Sequence, residues 1–296
     1  MRIFLRAHWK ALVAIVLLVV LALFTVKLDA APPEPSLATR LRTHVAAAQA
    51  GSGQAARYIE SVLASEGYAV HRQAYRAGAA TVRHIEVSIA NVAPRSRPAR
   101  IFIVGAADKD SGAAAVLELA RLLKTMRPSQ GTEVKFVFVV GEGGTQPARQ
   151  MSVDGPRWDG PRGKDAPALE SIGWYAQDGH DPAAARPAAG SFIAFAGSLD
   201  AARRVQDALS AFRNAADLPE RGLAAPAYVQ GVTLSDHAAC RHAGCPALMI
   251  TDTAFMRYPY YDTGEEGTDT LDYEGTARVV QGLARTLVAL AAGANG

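Results

Sequence analysis

The stretch RIFIVGAADKDSGAAAVLELARLL, residues 100–123, decides the fold. Its first part, residues 100–104, is a short apolar run that is typical of a buried strand. Apolar side chains such as Val116 and Leu119 then recur at steps of three and four, which predicts a helix over residues 111–126. A strand, a polar turn and an amphipathic helix in this order indicate one unit of an α/β sheet.

The same alternation extends along the rest of the chain. Strand-like segments occur at residues 68–75, 82–92, 134–140, 169–175, 192–196 and 247–251. Helix-like segments occur at residues 37–49, 52–66, 199–212 and 273–292. Residues 141–167 are rich in Gly, Pro, Arg and Asp, which predicts a long loop. The pattern predicts one three-layer α/β domain over residues 37–296, with a mostly parallel central sheet and helices on both faces.

The pattern of charged and apolar residues in the first 30 positions predicts a membrane segment. Arg2, Arg6 and Lys10 precede an uncharged run at residues 11–26, which is short for a spanning helix and long for a cleaved signal. Because the residues after the run form a poor cleavage site, an uncleaved N-terminal transmembrane helix is favoured over a signal peptide. Residues 31–36 then form a Pro-rich linker. Positive charges stay on the cytoplasmic side, so we expect a single-pass inner-membrane protein whose domain faces the periplasm or the cell exterior.

The net charge and the two cysteines limit the kinds of partner and metal site that the chain can have. The net charge is only +3 over 296 residues, and no basic block interleaved with aromatic residues occurs, so nucleic acid is excluded as a partner. The two cysteines, Cys240 and Cys245, do not have the spacing of a zinc knuckle. In an oxidising compartment they can form a local disulfide, and two small buried thiols are the alternative.

Acidic residues follow several of the predicted strands. Asp108 comes after the first buried strand and Glu142 after the second, Glu170 lies in the strand after the long loop, and Asp262 follows the last strand. In sheets of this kind, ligands bind beyond the carboxyl ends of the strands. Carboxylates gathered there suit a metal ion or a cationic substrate.

Several of these stretches together resemble a known family. The stretches are IFIVGAAD at 101–108, SG at 111–112, VLELARLL at 116–123, FVFVVGE at 136–142, LESIG at 169–173, SDH at 235–237 and DTLDY at 269–273. In order and spacing they resemble the zinc exopeptidase family of the bacterial leucyl aminopeptidases and glutamate carboxypeptidase (metallopeptidase family twenty-eight). The resemblance runs over residues 54–288. It implies the zinc-exopeptidase fold, which is like that of phosphorylases and hydrolases, and a peptide or protein as substrate or ligand.

The resemblance also implies roles for single residues. The family binds two zinc ions through two His, a bridging Asp and two further acids, and a separate Glu takes a proton from the metal-bound water. Asp108 falls at the bridging position, Glu142 at the general base, and Glu170 at a terminal acidic ligand. Asp236 and His237 fall beside the site in a motif that does not bind the metal.

The chain departs from the family at three of the five metal-ligand positions. The family has a His directly after Gly-Ala and then a loop to the bridging Asp, whereas Gly105-Ala106 here runs straight into Ala107-Asp108. Gly143 stands at the position of the family's second Glu, and Asp262 stands at the position of its last His. A catalytic zinc normally has three protein ligands. The implied cofactor is therefore zinc or no metal at all, and the remaining carboxylates suit calcium or magnesium better.

Two functions follow from this comparison. The first is a membrane-tethered, exported exopeptidase homologue, a pseudoenzyme with weak or no peptidase activity that binds peptides or a partner protein. The alternative is an active metallo-aminopeptidase with Glu142 as base and an atypical metal site. A serine hydrolase using Ser235, Asp236 and His237 is disfavoured, because the members of a triad converge from separate segments. His44, His71 and His84 are expected away from the strand ends and are not expected to replace the lost ligands.

Overall fold

The computed structural model describes residues 8–10, 13–18, 34–49, 51–77, 80–107, 111–141, 164–170, 192–226, 229, 247–253 and 271–292. The chain forms two compact units, Met1–Ser36 and Leu37–Gly296. In the first unit, residues 8–10 and 13–18 are helical and carry exposed apolar side chains such as Trp9 and Leu18. None of the described helices has both the length and the apolar character needed to cross a membrane. Most of the predicted apolar run at residues 11–26 lies outside the described residues.

The second unit alternates helices and strands. Its described helices are α1 Leu37–Ala48, α2 Ser52–Ser65, α3 Ser111–Leu123, α4 Ala202–Ala215 and α5 Tyr273–Ala292, with a short 3-10 turn at Leu199–Ala201. Its described strands are β1 His71–Ala77, β2 Ala80–Asn91, β3 Arg100–Ala107, β4 Thr132–Gly141, β5 Lys164–Glu170, β6 Ile193–Ser198, β7 Glu220–Ala225 and β8 Ala247–Thr251. β8 and α5 have the bounds that the apolar pattern predicts. The α/β class is therefore confirmed.

All the described strands belong to one sheet with the order β1-β2-β4-β3-β5-β8-β6-β7. Its central strands β4, β3, β5 and β8 are neighbours and run parallel. β2 and β6 are antiparallel to the central strands that they flank. The sheet is thus parallel at its centre and mixed towards both edges.

The two faces of the sheet belong to different apolar clusters. All five described helices contribute to one large core together with alternate residues of the strands, such as Val104 and Phe136. The opposite face carries a smaller cluster that includes Ile103, Val137 and Val139, and its described members all lie on strands. The predicted helix layer is therefore confirmed on one face. On the second face it remains a prediction for residues outside the described ranges.

Two strands differ from the sequence prediction. β5 begins at Lys164, inside the predicted loop, and ends at Glu170, near the start of the predicted strand at residues 169–175. β7, Glu220–Ala225, is a strand that the sequence does not predict. Neither has a strong apolar pattern, so their conformation depends on pairing with neighbouring strands. β5 gains this pairing on both sides, from β3 and from β8.

Candidate functional site

The carboxyl ends of the four central strands meet at one edge of the sheet. Ala107 pairs with Val139 of β4, and Gly105 pairs with Ala168 of β5. Two residues further along both strands, Ala107 is level with Glu170, which in turn pairs with Thr251 of β8. This shared row places four strand ends side by side, where α/β sheets bind their ligands.

The predicted site residues fall at this edge by their place in the chain. Asp108 follows Ala107, the last residue of β3, and Glu142 follows Gly141, the last residue of β4. Glu170 is the last residue of β5. Asp108 and Glu142 themselves lie outside the described residues, as do Asp262, Asp236, His237, Cys240 and Cys245. Their side-chain roles and the disulfide therefore stay predictions.

The connection between β3 and α3 is very short. β3 ends at Ala107 and α3 begins at Ser111, so only residues 108–110 join them. These three residues are Asp, Lys and Asp. The connection contains no His. It is also too short for the His-bearing loop that the resembled family has before its bridging Asp. Of the departures from the family, this is the one that the described elements define directly.

Asp252 is a candidate site residue that the sequence prediction missed. It follows β8, is fully buried, and stands one residue beyond the Thr251–Glu170 pair. The next residue, Thr253, has a φ of 64°, a left-handed conformation that is costly for a β-branched side chain and is found most often at functional sites. Its N–H donates to Thr251 Oγ1 at 3.0 Å. An acid directly after a buried strand is the same signal that selected Asp108 and Glu142.

A second buried carboxylate, Glu118, lies within α3. Its Oε1 accepts hydrogen bonds from Arg40 Nε at 3.0 Å and from His44 Nε2 at 2.9 Å. Its Oε2 accepts one from Arg121 Nε at 2.9 Å. Burial alone would raise the pKa of Glu118, but these donors outweigh it and lower the pKa to about 2. Glu118 is therefore ionised at neutral pH, and its carboxylate joins α1 to α3.

His44 has hydrogen-bond partners at both ring nitrogens in this cluster. Because the Glu118 carboxylate can only accept, His44 must donate from Nε2. Its Nδ1 lies 2.8 Å from the Tyr58 hydroxyl. Burial, and then the charge of Glu118, raise the pKa of Tyr58, so the phenol keeps its proton and can donate a hydrogen bond to Nδ1. Both ring nitrogens are occupied within the helical layer, which agrees with the expectation that His44 is not a metal ligand.

His84 lies closer to the strand ends than the sequence suggests. β2 runs antiparallel to β4, so Val82 pairs with Gly141 and His84 pairs with Val139, in the row that ends the central strands. The expectation that His84 lies away from the strand ends is wrong. Its Nε2 is buried without a hydrogen-bond partner and is 4.0 Å from Glu86 Oε2. Glu86 pairs with Val137, two residues further from the edge.

Burial lowers the pKa of His84; Glu86 opposes this shift and Lys135 adds to it. His84 is therefore neutral near pH 7. Across the described ranges, no group of three or more His, Cys, Asp or Glu side chains could hold a metal ion. The predicted ligands lie largely outside those ranges. Zinc therefore remains what the resemblance implies.

The chain is similar in sequence to a curated protein. It is 32% identical over 196 residues to an uncharacterised protein of Escherichia coli strain K12, YfbL, covering 62% of this chain and 58% of that protein. The match thus spans less than two thirds of the relative's length. No protein-family model matches the chain.

Solved structures share the fold. The LapA aminopeptidase of Legionella pneumophila superposes with a TM-score of 0.58 at 14% identity, covering 86% of this chain and 72% of LapA. A glutaminyl cyclase of Porphyromonas gingivalis gives a TM-score of 0.59 at 16% identity, covering 85% of this chain and 96% of the cyclase. BSAP, a zinc aminopeptidase of Bacillus subtilis, gives 0.53 at 17% identity, covering 71% and 50%. At these identities the likeness establishes the fold: this chain has the fold shared by zinc aminopeptidases and glutaminyl cyclases.

Proposed function

We propose that this chain is a membrane-tethered, exported homologue of the zinc exopeptidases that binds a peptide or protein and has weak or no peptidase activity. The observation that carries the proposal is the three-residue connection between β3 and α3. Its three residues are Asp, Lys and Asp, so none of them is a His. In the family that the sequence resembles, this is where the first His ligand enters.

The chemistry of the remaining donors supports weak activity. A catalytic zinc ion normally needs three protein ligands and one open position. With Gly143 donating nothing and Asp262 in place of a His, each metal position would retain too few nitrogen and oxygen donors. A bound zinc ion would polarise the substrate carbonyl and lower the pKa of its water. Asp108, Glu170 and Asp262 are the residues that would hold a metal, and Glu142 would take the proton.

Hydrolysis of amino-acid nitroanilides by the full chain in detergent tests the proposal. We expect turnover near background and less than stoichiometric zinc in the purified protein. The comparison variant is Glu142→Gln, which removes a proton acceptor and leaves the predicted metal ligands in place. Robust hydrolysis that a chelator abolishes, and that Glu142→Gln removes while metal binding persists, would establish the alternative, an active metallo-aminopeptidase.

A second candidate activity is cyclisation of N-terminal glutamine. Its support is that glutaminyl cyclases are among the solved structures that share the fold: two of them superpose with a TM-score of 0.59 over 85% and 86% of this chain. Peptides that begin with Gln should then lose ammonia when incubated with the protein, and the same peptides beginning with Asn serve as the control. Equal rates with and without protein rule the activity out.

The tether and the compartment have their own test. The basic residues before the apolar run, and the exposed Val13 and Leu17 in its helical part, support membrane insertion. A reporter that is active only outside the cytoplasm should work when fused after residue 36. In the exported protein, Cys240 and Cys245 should form a disulfide. Two free thiols in the unreduced, denatured protein would contradict the disulfide, and an inactive reporter would contradict export.

A further inference from the structure

Exposed apolar side chains are concentrated at one edge of the sheet. In the part of residues 37–296 that the structure describes, Leu199 and Leu223 are the most exposed large apolar side chains, at 60% and 47%. Leu223 lies in β7, and Leu199 follows β6, whose last residue, Ser198, pairs with Ala225 of β7. Apolar side chains gathered at one place on a surface indicate a contact with another molecule.

β7 is the outermost strand at this edge of the described sheet. One of its sides is paired with β6, because the N–H of Ile193 donates to the Pro219 carbonyl at 3.0 Å. The backbone groups of successive strand residues point to alternate sides. The residues that direct their N–H and C=O groups away from β6 are therefore Glu220, Gly222 and Ala224. Gly222 is exposed, so this side of the strand is open to solvent.

The open stretch of β7 is short, because its two ends are already closed. At its start, the Glu220 carbonyl accepts a hydrogen bond from Arg221 Nη1 at 2.8 Å. Just after the strand, Pro226 has no N–H, and its carbonyl accepts the N–H of Val229 at 2.9 Å. Between these ends, Gly222 and Ala224 each offer a donor and an acceptor to a further strand.

The side chains of β7 point to two different faces. A Cβ added at Gly222 would be 2.8 Å from Leu209 Cδ2 of α4, so this position faces the helical layer. Leu223 is the next residue and therefore points to the opposite face of the sheet. An exposed leucine thus stands at the centre of the open backbone stretch.

We propose that β7 pairs with β7 of a second copy of this chain, antiparallel about a two-fold axis at Leu223. In this register, Gly222 of each copy faces Ala224 of the other, and the two pairs exchange backbone hydrogen bonds. The two Leu223 side chains lie directly opposite each other, where an apolar cross-strand pair is stabilising. The sheets of the two copies then continue into one another, and neither open edge remains.

The closed ends of β7 favour a second copy over an unrelated peptide. With the axis at Leu223, Glu220 of one copy faces Pro226 of the other. The Glu220 carbonyl already has its donor, Arg221, and Pro226 has no N–H to offer it. A peptide with an ordinary backbone would instead leave its own groups unpaired at both ends, which is unfavourable.

Other two-fold registers of β7 conflict with its charges or its backbone. Outward groups must meet outward groups, so the axis has to pass through a residue and not between two residues. An axis at Arg221 would place two guanidinium groups opposite each other, and like charges in that position are destabilising. An axis at Gly222 would direct the Ala224 N–H at the Glu220 carbonyl that Arg221 already occupies. The axis at Leu223 has neither conflict.

Disulfide trapping of Leu223→Cys in the full chain in detergent tests this register. Opposed residues of a non-hydrogen-bonded pair have Cα atoms about 4.5 Å apart, which a disulfide can span. Arg221→Cys is the control on the same strand and face, because its two copies would be about 14 Å apart. We expect about tenfold more covalent dimer, linked 223 to 223, from Leu223→Cys than from Arg221→Cys or from the natural protein. Equal trapping of the two variants, or trapping only at residue 221, would overturn the proposal.

Analytical ultracentrifugation of the full chain in detergent tests the contact without added thiols. We expect a concentration-dependent dimer, and Leu223→Lys should raise its Kd about tenfold, because two like charges then stand opposite each other. Leu122→Lys makes the same change at an exposed leucine of α3 and should stay within about twofold. The mass of a single chain at every concentration, or equal effects of the two variants, would show that β7 does not pair with itself. If Leu223→Lys weakens peptide binding to a single chain, the edge receives a peptide and the second copy is wrong.

This dimer does not depend on the proposed function. Both measurements report association and not hydrolysis or metal content, so an active peptidase would leave their outcome unchanged. Conversely, a chain that stays single would leave the proposed function as it stands.

Discussion

Glu118 shows, at the scale of a single residue, how an apolar core tolerates a charge. An isolated carboxylate would be very unfavourable at zero exposure. Here both oxygens accept hydrogen bonds, and two guanidinium groups supply the opposite charge. Because these contacts stabilise the ionised form, the same residue makes the stability of the folded chain sensitive to acid.

We predict a loss of stability in acid that depends on Glu118. Its folded-state pKa, about 2, lies below the ordinary value of 4.5. The folded state therefore gains from ionisation above pH 4.5, and this gain is lost as the pH falls from there towards 2. The lost contribution is about 3 kcal/mol. Urea unfolding of the natural protein at pH 6 and at lower pH should show it.

The matched variant for this experiment is Glu118→Gln. It should be less stable than the natural protein at pH 6, and its stability should change less between pH 6 and the acid limit, because the titrating group is gone. Parallel pH profiles for the two proteins would show that Glu118 has an ordinary pKa in the folded state.

At the scale of whole elements, the contact between α4 and α5 depends on one glycine. Gly282 of α5 lies against Phe212 and Ala216, so that a Cβ added there would be 2.8 Å from Ala216 Cβ and 2.8 Å from Phe212 Cε2. Ala216 follows the last residue of α4, and Phe212 is fully buried in it. Glycine is therefore needed here for the close approach of two helices, although it has a poor helix propensity.

We predict that Gly282→Ala destabilises the chain by about 1–3 kcal/mol, because two neighbouring groups must move. Gly53→Ala is the control. It also lies in a helix, α2, but its added Cβ would meet only Arg57 Nη1, at 3.9 Å. That variant should gain about 0.5–1 kcal/mol from helix propensity. Urea midpoints measure both, and a stabilising Gly282→Ala would contradict the close packing.

At the scale of the whole molecule, the sheet assembles the candidate site from distant segments. β3, β4, β5 and β8 are neighbours in the sheet, and the residues that end them or follow them are spread from Asp108 to Asp252 along the chain. Any metal or peptide bound at this edge therefore depends on all four strands. Under the residue roles that the resemblance implies, restoring the family's ligand set requires changes in separate segments at once.

We predict that Gly143→Glu combined with Asp262→His tightens zinc binding. The two changes return an acid and a His to one metal position around Asp108. Loss of a residue that only supports a metal ligand already lowers metal affinity by about 10–100-fold, so restored ligands should have a clear effect. Peptidase activity should remain low, because the short β3–α3 connection still contains no His. Competition with a chromophoric chelator measures the affinity.

The control for this experiment is Gly143→Gln with Asp262→Asn. Gln and Asn are of similar size to Glu and His but are weaker metal donors, so zinc affinity should not rise above that of the natural protein. Equal affinities for the two double variants would mean that residues 143 and 262 do not share a metal position, and the residue roles implied by the resemblance would then be wrong.

The sequence by itself determined the elements with strong local patterns. β8 and α5 have the predicted bounds because their apolar residues repeat at the strand or helix period. The placement of Asp108 and Glu142 directly after strands also follows from the sequence, since it needs only the strand ends. The α/β class is in this group, whereas the zinc-exopeptidase-like fold was implied by the family resemblance.

Only the tertiary structure decided features that depend on contacts between distant residues. β5 and β7 are strands because neighbouring strands pair with them, and their own residues favour this weakly. Glu118 is three residues from Arg121 but 78 and 74 residues from Arg40 and His44, so its ion cluster has no local signature. Asp252 is an ordinary loop acid in the sequence, and the packing of the folded chain buries it completely. Local periodicity reports the interactions of near neighbours, whereas burial and charge pairing arise only when the sheet brings remote segments together.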